Sequence, residues 1–471
     1  MIAMTVGDVA ALTGGHLDGV APDVQVYGPV VVDSRLCTAG SLFACLPGEQ
    51  VDGHEFVADA YRRGAVAALS VRAVDGPSIV VDDPVRSLGF LAGGVLRRTS
   101  QCTVVGVTGS SGKTSTKDLL AGVLAFAGPT VAPRASLNNE IGLPLTVLGV
   151  EESTRYLVLE YSARGVGHIE YLCRIARPAI GVVLNVGTAH LGEFGSREVV
   201  AAAKGELVEA LPPDGVAVLN VDDPLVSGMR SRTAARVIGF GTSADADVRL
   251  DAVQLDPQAR PSFRLVTPRG SISVQLQLVG AHHAMNAAAT AAVALEIGLG
   301  PDEVGEALDS LTAVSAHRMQ VGSRADGLLV VDDAYNANPE SVRAALDALS
   351  TLSKDRAGSS WAVLGEMREL GADGEALHTD VGRHAAELGI DHLVVVGPGA
   401  DPVAAGAESV ASWRGEAIVV AEPEAAVELL RNRLGSDDVV LVKASNALQY
   451  WRIAEALLEP IAAERGSGAT A

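Results

Sequence analysis

Gly106-Val107-Thr108-Gly109-Ser110-Ser111-Gly112-Lys113-Thr114 is the stretch that decides how this chain is read. The apolar run Thr103–Val107 before it predicts a strand, and Ser115–Phe126 after it predicts a helix, because Leu119, Leu120, Val123 and Leu124 fall on one face. A glycine-rich turn that joins strand to helix and ends in Gly-Lys-Thr is the setting of a phosphate loop. There the backbone N–H groups of Thr108, Gly109, Ser110, Ser111 and Gly112 turn onto phosphate oxygens, and the helix N-terminus adds positive potential. Lys113 would neutralise β/γ charge and Thr114 would offer its hydroxyl to Mg²⁺. The strict pattern wants glycine at Val107, and Gly106 stands one residue earlier. The loop implies ATP or GTP and leaves open which reaction the nucleotide serves.

Outward from the loop, the strands Thr103–Val107, Tyr156–Leu159, Ile180–Leu184 and Ala217–Leu219 alternate with helix-period segments, which predicts a parallel α/β sheet. After Gly239 the chain turns β-rich, and Ser262–Thr267 with Ser271–Val279 reads as a hairpin about Pro268-Arg269-Gly270, a small inserted or appended sheet. A second βα series starts at Leu328–Val331 and runs through Trp361–Leu364, Leu393–Val396, Ala417–Val420 and Val439–Val442. The fold class is therefore α/β with three domains: a small α/β domain at 1–100, a central P-loop parallel-sheet domain with a small β insertion at 101–316, and a C-terminal Rossmann-like domain at 317–461. Residues 462–471 form a Gly/Ser/Ala-rich tail.

At 471 residues the chain has room for about three domains of roughly 150 residues each. Asp and Glu number 57 against 36 Lys and Arg, a net charge of −21 that repels polyanions and argues against a nucleic-acid partner. Apolar residues make up 48%, which excludes a disordered chain, and aromatics only 4%, so the cores must be built from Ala, Val and Leu. No stretch approaches the ~20 apolar residues of a membrane span, and the start lacks a basic leader, so the sequence places the chain in the cytoplasm without membrane insertion. Cys37, Cys45, Cys102 and Cys173 lack metal spacing and read as reduced thiols, leaving any metal to oxygen ligands.

Several polar residues fall where strands end, the edge at which parallel sheets bind ligands. Glu160 closes one strand, His190 comes after another within Asn185-Val186-Gly187-Thr188-Ala189-His190, and Lys204 lies in the helix Ser196–Leu211. Each has an ordinary explanation as a solvated carboxylate, a loop histidine and a surface lysine. In Asp332-Asp333-Ala334-Tyr335-Asn336-Ala337-Asn338-Pro339, helix capping accounts for Asn338 and Pro339 but not for Asp333, Tyr335 or Asn336.

Taken together, TGSSGKT (108–114), LNNEIGLP (137–144), Glu160, NVGTAH (185–190), AKGE (203–206), HHAMN (282–286), HR (317–318), DDAYNANP (332–339) and LGEM (364–367) resemble the Mur ligases of peptidoglycan synthesis, through all three domains. The subtype cues, DDAYNANP above all, imply an ATP-dependent ligase that adds D-alanyl-D-alanine to UDP-N-acetylmuramoyl-tripeptide through an acyl phosphate. The resemblance implies that the first domain holds the UDP-sugar peptide with Ser34 and Arg35 near its nucleotide moiety, the central domain holds ATP, and the third brings the acceptor, with Asn336 on its side. It further implies two Mg²⁺ ions served by Thr114, Glu160, His190 and Lys204, a carbamylated Lys204, catalytic roles for Lys113, Lys204, His190 and Glu160, and Asn286, Arg318 and Asp333 around the nucleoside. The chain is expected to act as a monomer.

The pattern departs from the family at Tyr161-Ser162, where relatives carry Met or Leu and then a small residue, and at Asn446, where they carry Arg. Loss of that guanidinium removes a bidentate carboxylate donor. Two other readings stay open: a paralogous ligase with a different amino acid or dipeptide as acceptor, and a non-catalytic nucleotide-binding protein. Retention of Lys113, Glu160, His190 and Lys204 together opposes the second.

Overall fold

Runs such as Val-Val-Gly-Val at 104–107 and Leu-Val-Leu at 157–159 are apolar at every position, which suits strands covered on both faces. In the computed structural model, which describes residues 1–48, 51–99, 101–188 and 191–459, they form the middle of a nine-stranded sheet. His190, the boundary residue Ser100 and the tail 462–471 lie outside the described residues. Thr103–Thr108 is the pivot of that sheet, parallel to Tyr156–Glu160 on one side and to Ile180–Val183 on the other. The phosphate loop therefore leaves the carboxyl end of a central strand, with the ends of both neighbours beside it.

Beyond Ile180–Val183 the sheet continues in parallel through Val216–Asn220, Arg236–Gly241 and Val248–Leu255. The expected hairpin forms from Pro261–Thr267 and Gly270–Gln275, but it is not a sheet of its own. It pairs antiparallel onto Val248–Leu255 and closes one edge of the nine strands. An alternating hairpin reads the same whether its second edge is free or paired, so sequence could not choose between these.

One face of the sheet is covered by the helices Lys113–Ala127, His282–Glu296 and Pro301–Ser310, whose Leu119, Leu120, Val123, Ala287, Ala291 and Leu308 are buried with Val105, Val107 and Val182. Alanine dominates His282–Glu296 because that helix is enclosed almost all round and packs on the phosphate-loop helix. The opposite face shares its core with the N-terminal region, where Leu88 and Leu91 of the helix Pro84–Leu96 join Leu157, Leu159 and Ile169. That region carries a five-stranded sheet, mostly parallel.

The last sheet has six strands, parallel except for Gln320–Ser323, an antiparallel edge too short and polar to show in the sequence pattern. Its first helix, Pro339–Ser353, starts as its sequence demands: Asn338 accepts a hydrogen bond from Ser341 N at 2.9 Å and Pro339 occupies the first turn. Among the described residues no helix is long and apolar enough to cross a membrane, and all four cysteines are free.

Candidate active site

The loop after Thr108 is held from the neighbouring strand end. Ser110 N donates to Asn185 O (3.1 Å), Ser111 N donates to Asn185 Oδ1 (2.9 Å), and Asn185 Nδ2 donates back to Ser111 O (3.2 Å). Gly187 N adds a bond to Ser110 Oγ (2.9 Å). Gly112 takes a left-handed φ of 83° where a Cβ would lie 2.8 Å from Asn286 Oδ1, so glycine is required on both counts. It opens the helix Lys113–Ala127 without any side-chain cap, leaving those N–H groups for a ligand.

Lys113 is folded back on its own loop, with Nζ donating to Gly109 O at 2.7 Å. Burial pulls its ammonium down to about 8, opposed by the Glu160 carboxylate and assisted by the Arg318 charge. Lys204 lies 5% exposed on the helix Arg197–Glu209, and burial first, then the charge of Lys113, pushes it well below the ordinary lysine range. No hydrogen-bond partner meets its ammonium among the described residues. Sequence favoured a solvated lysine there; the fold has dehydrated it.

Glu160 is fully buried. Its Oε2 accepts from Ser136 Oγ (3.0 Å) and Asn138 Nδ2 (3.4 Å), whereas Oε1 has no partner. Ser136 Oγ also lies 3.3 Å from Thr114 Oγ1, which accepts from Arg318 NH2 at 2.8 Å. A dehydrated carboxylate oxygen without a donor calls for a cation. Among the described residues no group of three His, Cys, Asp or Glu side chains forms a metal cage. Mg²⁺ does not need one, since it keeps waters and phosphate oxygens and takes one or two protein oxygens, and Thr114 and Glu160 fit that demand.

The third sheet closes the other side. Asp333 pairs with buried Lys443, accepts from Met319 N (3.1 Å), and shares Lys443 with the Asn336 carbonyl (3.0 Å). Arg318 stacks on Tyr335 at 4.2 Å with Nε unpartnered. Asn286 Nδ2 and the Nδ1 atoms of His282 and His283 are buried without partners, and burial lowers both histidines toward the neutral form. These open donors and acceptors converge on one cleft of about 950 Å³. Two contacts fasten this side to the loops of the central sheet: Asn338 Nδ2 to Ser111 Oγ (3.0 Å) and Thr188 N and Oγ1 to Glu340 Oε1 (3.1 and 3.0 Å).

Of the residues singled out in the sequence, Ser110, Ser111, Gly112, Lys113, Thr114, Asn286, Arg318, Asp333 and Asn336 line the cleft. Thr108 and Gly109 lie beneath its floor, as does Glu160, which touches it through Ser136. Ser34 and Arg35 are not brought to its wall: Ser34 is buried and donates to Asp59 (2.9 Å), and Arg35 pairs with Asp33 in solvent. From the first domain Asp83, Val85 and Arg86 reach the cleft, near Arg164, His168 and Tyr171 of the central domain, and none of these had a sequence signal. Of the departures, Ser162 and Asn446 line the cleft but Tyr161 does not; its ring is fully buried and its hydroxyl donates to Ala176 O. Tyr161 is core.

Residues 27–86 match the catalytic domain of the Mur ligase family, 107–294 the Mur ligase middle domain, and 317–446 the Mur ligase glutamate ligase domain. The chain is 46% identical to the UDP-N-acetylmuramoyl-tripeptide--D-alanyl-D-alanine ligase of Mycobacterium tuberculosis, over 97% of this chain and 98% of that one. It is 34% identical to the Escherichia coli protein of the same name, over 98% and 99%. Among solved structures it resembles MurF of Acinetobacter baumannii (TM-score 0.86, 31% identity, 97% and 99% covered) and the MurF ligase of Thermotoga maritima in complex with ADP (TM-score 0.78, 31% identity, 92% and 97% covered).

Proposed function

This chain belongs to the Mur ligase family, and on that premise we propose that it joins D-alanyl-D-alanine to UDP-N-acetylmuramoyl-tripeptide at the expense of ATP. The observation that carries the reading is one cleft lined by the phosphate loop, by Arg86 of the first domain and by Asn336 and Asn446 of the third, so that three reactants have walls from three domains.

The terminal carboxylate of the tripeptide attacks the γ-phosphorus of ATP, the bond to the β-phosphate oxygen breaks, and ADP leaves an acyl phosphate. The amine of D-alanyl-D-alanine then attacks the activated carbonyl, phosphate departs, and the amine loses its proton. Attack between two anions is opposed electrostatically, so positive charge must be waiting at the phosphoryl group. Lys113 provides it once a phosphate replaces the loop carbonyls as partner of Nζ. Thr114 and Glu160 would hold Mg²⁺, with Lys204 and His190 serving a second ion; bound Mg²⁺ supplies Lewis-acid stabilisation of charge on the phosphates. Lys204, dehydrated and repelled by Lys113, favours a neutral amine, the form that adds CO₂ to give an anionic carbamate ligand. The contacts of Asn338 and Glu340 with the central loops hold the third domain against the phosphate-loop side of the cleft, an arrangement that would shield an acyl phosphate from water.

Mass spectrometry of a reaction with ATP, Mg²⁺, UDP-MurNAc-tripeptide and D-Ala-D-Ala tests the proposal. A pentapeptide product from wild type and none from Lys113→Ala is the expected outcome. Phosphate release only with a different amino acid or dipeptide would move the acceptor, and Asn446 in the cleft wall would be the place to look.

A further inference from the structure

Lys117 is a buried charged side chain close to the phosphate loop. It is 1% exposed on the helix Lys113–Ala127, one turn past Lys113, and lies in the wall of neither large pocket. Its Nζ pairs with Asp118 and donates to Pro133 O at 2.7 Å. Burying an ammonium is costly, and packing alone would be served as well by methionine.

The bond to Pro133 matters because of the segment that this residue opens. Residues 133–138 form an irregular connection after the short strand Thr130–Val131, and among the described residues no other side chain hydrogen-bonds this connection between Ala132 and Ala135. Three residues on, Ser136 reaches both Glu160 Oε2 and Thr114 Oγ1, and Asn138 Nδ2 donates to Ser136 Oγ (2.9 Å) and to Glu160 Oε2. The connection thus occupies one carboxylate oxygen of Glu160 and leaves Oε1 open.

We propose that Lys117 is a positioning residue for the metal end of the site: by fixing the carbonyl of Pro133 it sets the connection that aims Glu160 and Thr114. It is not a catalytic residue, since its side chain is buried away from the cleft wall. The inference rests on the assignment of Thr114 and Glu160 to Mg²⁺. Partners of metal ligands that are themselves removed commonly lower metal affinity by about 10–100-fold.

The test uses the full chain and ADP binding by calorimetry, with EDTA and across a Mg²⁺ titration. For Lys117→Met, the Mg²⁺ concentration that gives half of the metal-dependent gain in ADP affinity should rise about tenfold, while metal-free ADP affinity stays within about twofold. Lys117→Arg, which retains the donor, should recover most of the shift, and Ser136→Ala should mimic it with no further loss in the double variant. A Mg²⁺ midpoint unmoved in Lys117→Met overturns the proposal, as does equal weakening with and without metal, which would mark a damaged helix. Lys117→Leu, which likewise lacks a donor, carries the same comparison should the methionine variant not fold. If wild type shows no Mg²⁺-dependent gain at all, it is the metal assignment that fails, and the two failures are distinct.

Discussion

A Cβ on Gly106 would lie 2.8 Å from the Tyr161 ring and 3.1 Å from Leu207, so the glycine one place ahead of the usual loop position and the unusual aromatic after Glu160 occupy a single space. The Tyr161 ring runs beneath the strand that carries the phosphate loop, and its hydroxyl is anchored on Ala176 O. Overpacking of this kind costs about 1–3 kcal/mol. Gly106→Ala should lower stability in urea unfolding by that amount, and Tyr161→Leu should make the alanine tolerable, so that the double variant is more stable than the sum of the singles predicts. Additive losses would show the two residues to be independent.

Lys113 gives nucleotide binding a pH dependence of definite sign. Burial holds its ammonium at about 8, and a bound phosphate favours the charged form. Below that pH the lysine is already charged and binding is flat; above it, each ADP bound must be accompanied by a proton. Metal-free ADP affinity should therefore fall by up to about tenfold per pH unit above 8, and calorimetry in buffers of different ionisation enthalpy should detect uptake of about one proton. Lys113→Arg, charged throughout, should bind without that slope.

How far the sequence could be read depended on the range of the interaction. The phosphate loop and the Asn338 cap are encoded within a few residues, and both form as their motifs require. Lys117 looks like any solvated helix lysine, because the partner that gives it meaning, Pro133, lies 16 residues away in a connection with no pattern of its own. The Asn185 clamp on Ser111 spans 74 residues, and no local rule distinguishes it from a turn asparagine. Ser34 and Arg35, whose motif resembles a contact to the nucleotide moiety of the substrate, stand away from the cleft, where Ser34 donates to Asp59 and Arg35 pairs with Asp33 in solvent.

The carbamylation proposed for Lys204 predicts a dependence on dissolved CO₂. An amine pushed toward its neutral form by burial and by Lys113 is reactive, and its carbamate would replace a cation by an anion beside Lys113. Turnover should fall in buffer stripped of CO₂ and return with bicarbonate, whereas Lys204→Arg should be poorly active and indifferent to bicarbonate. Full activity without CO₂ would assign the lysine a role as an amine.

Glu340 links domain closure to the loop beside the phosphates. It sits in the first turn of Pro339–Ser353 and accepts from Thr188 N and Oγ1, so the third domain and the central sheet share a charged hydrogen bond that exists only while they are docked. A bond to a charged acceptor is worth about 1.5–3 kcal/mol against about 0.5–1.5 kcal/mol for a neutral one, so Glu340→Gln, which keeps a neutral acceptor, should shift the equilibrium between docked and undocked arrangements by about fivefold. The phosphate loop itself belongs to the central domain, so ADP affinity should fall less than turnover. Turnover should drop and ATP hydrolysis without peptide product should rise, because an acyl phosphate formed in a loosened cleft meets water. Thr188→Ala leaves the same carboxylate with the backbone N–H and should show a smaller version of both effects. If Glu340→Gln weakened ADP binding and turnover in parallel while the ratio of product to phosphate stayed at one, the residue would belong to nucleotide binding and not to closure.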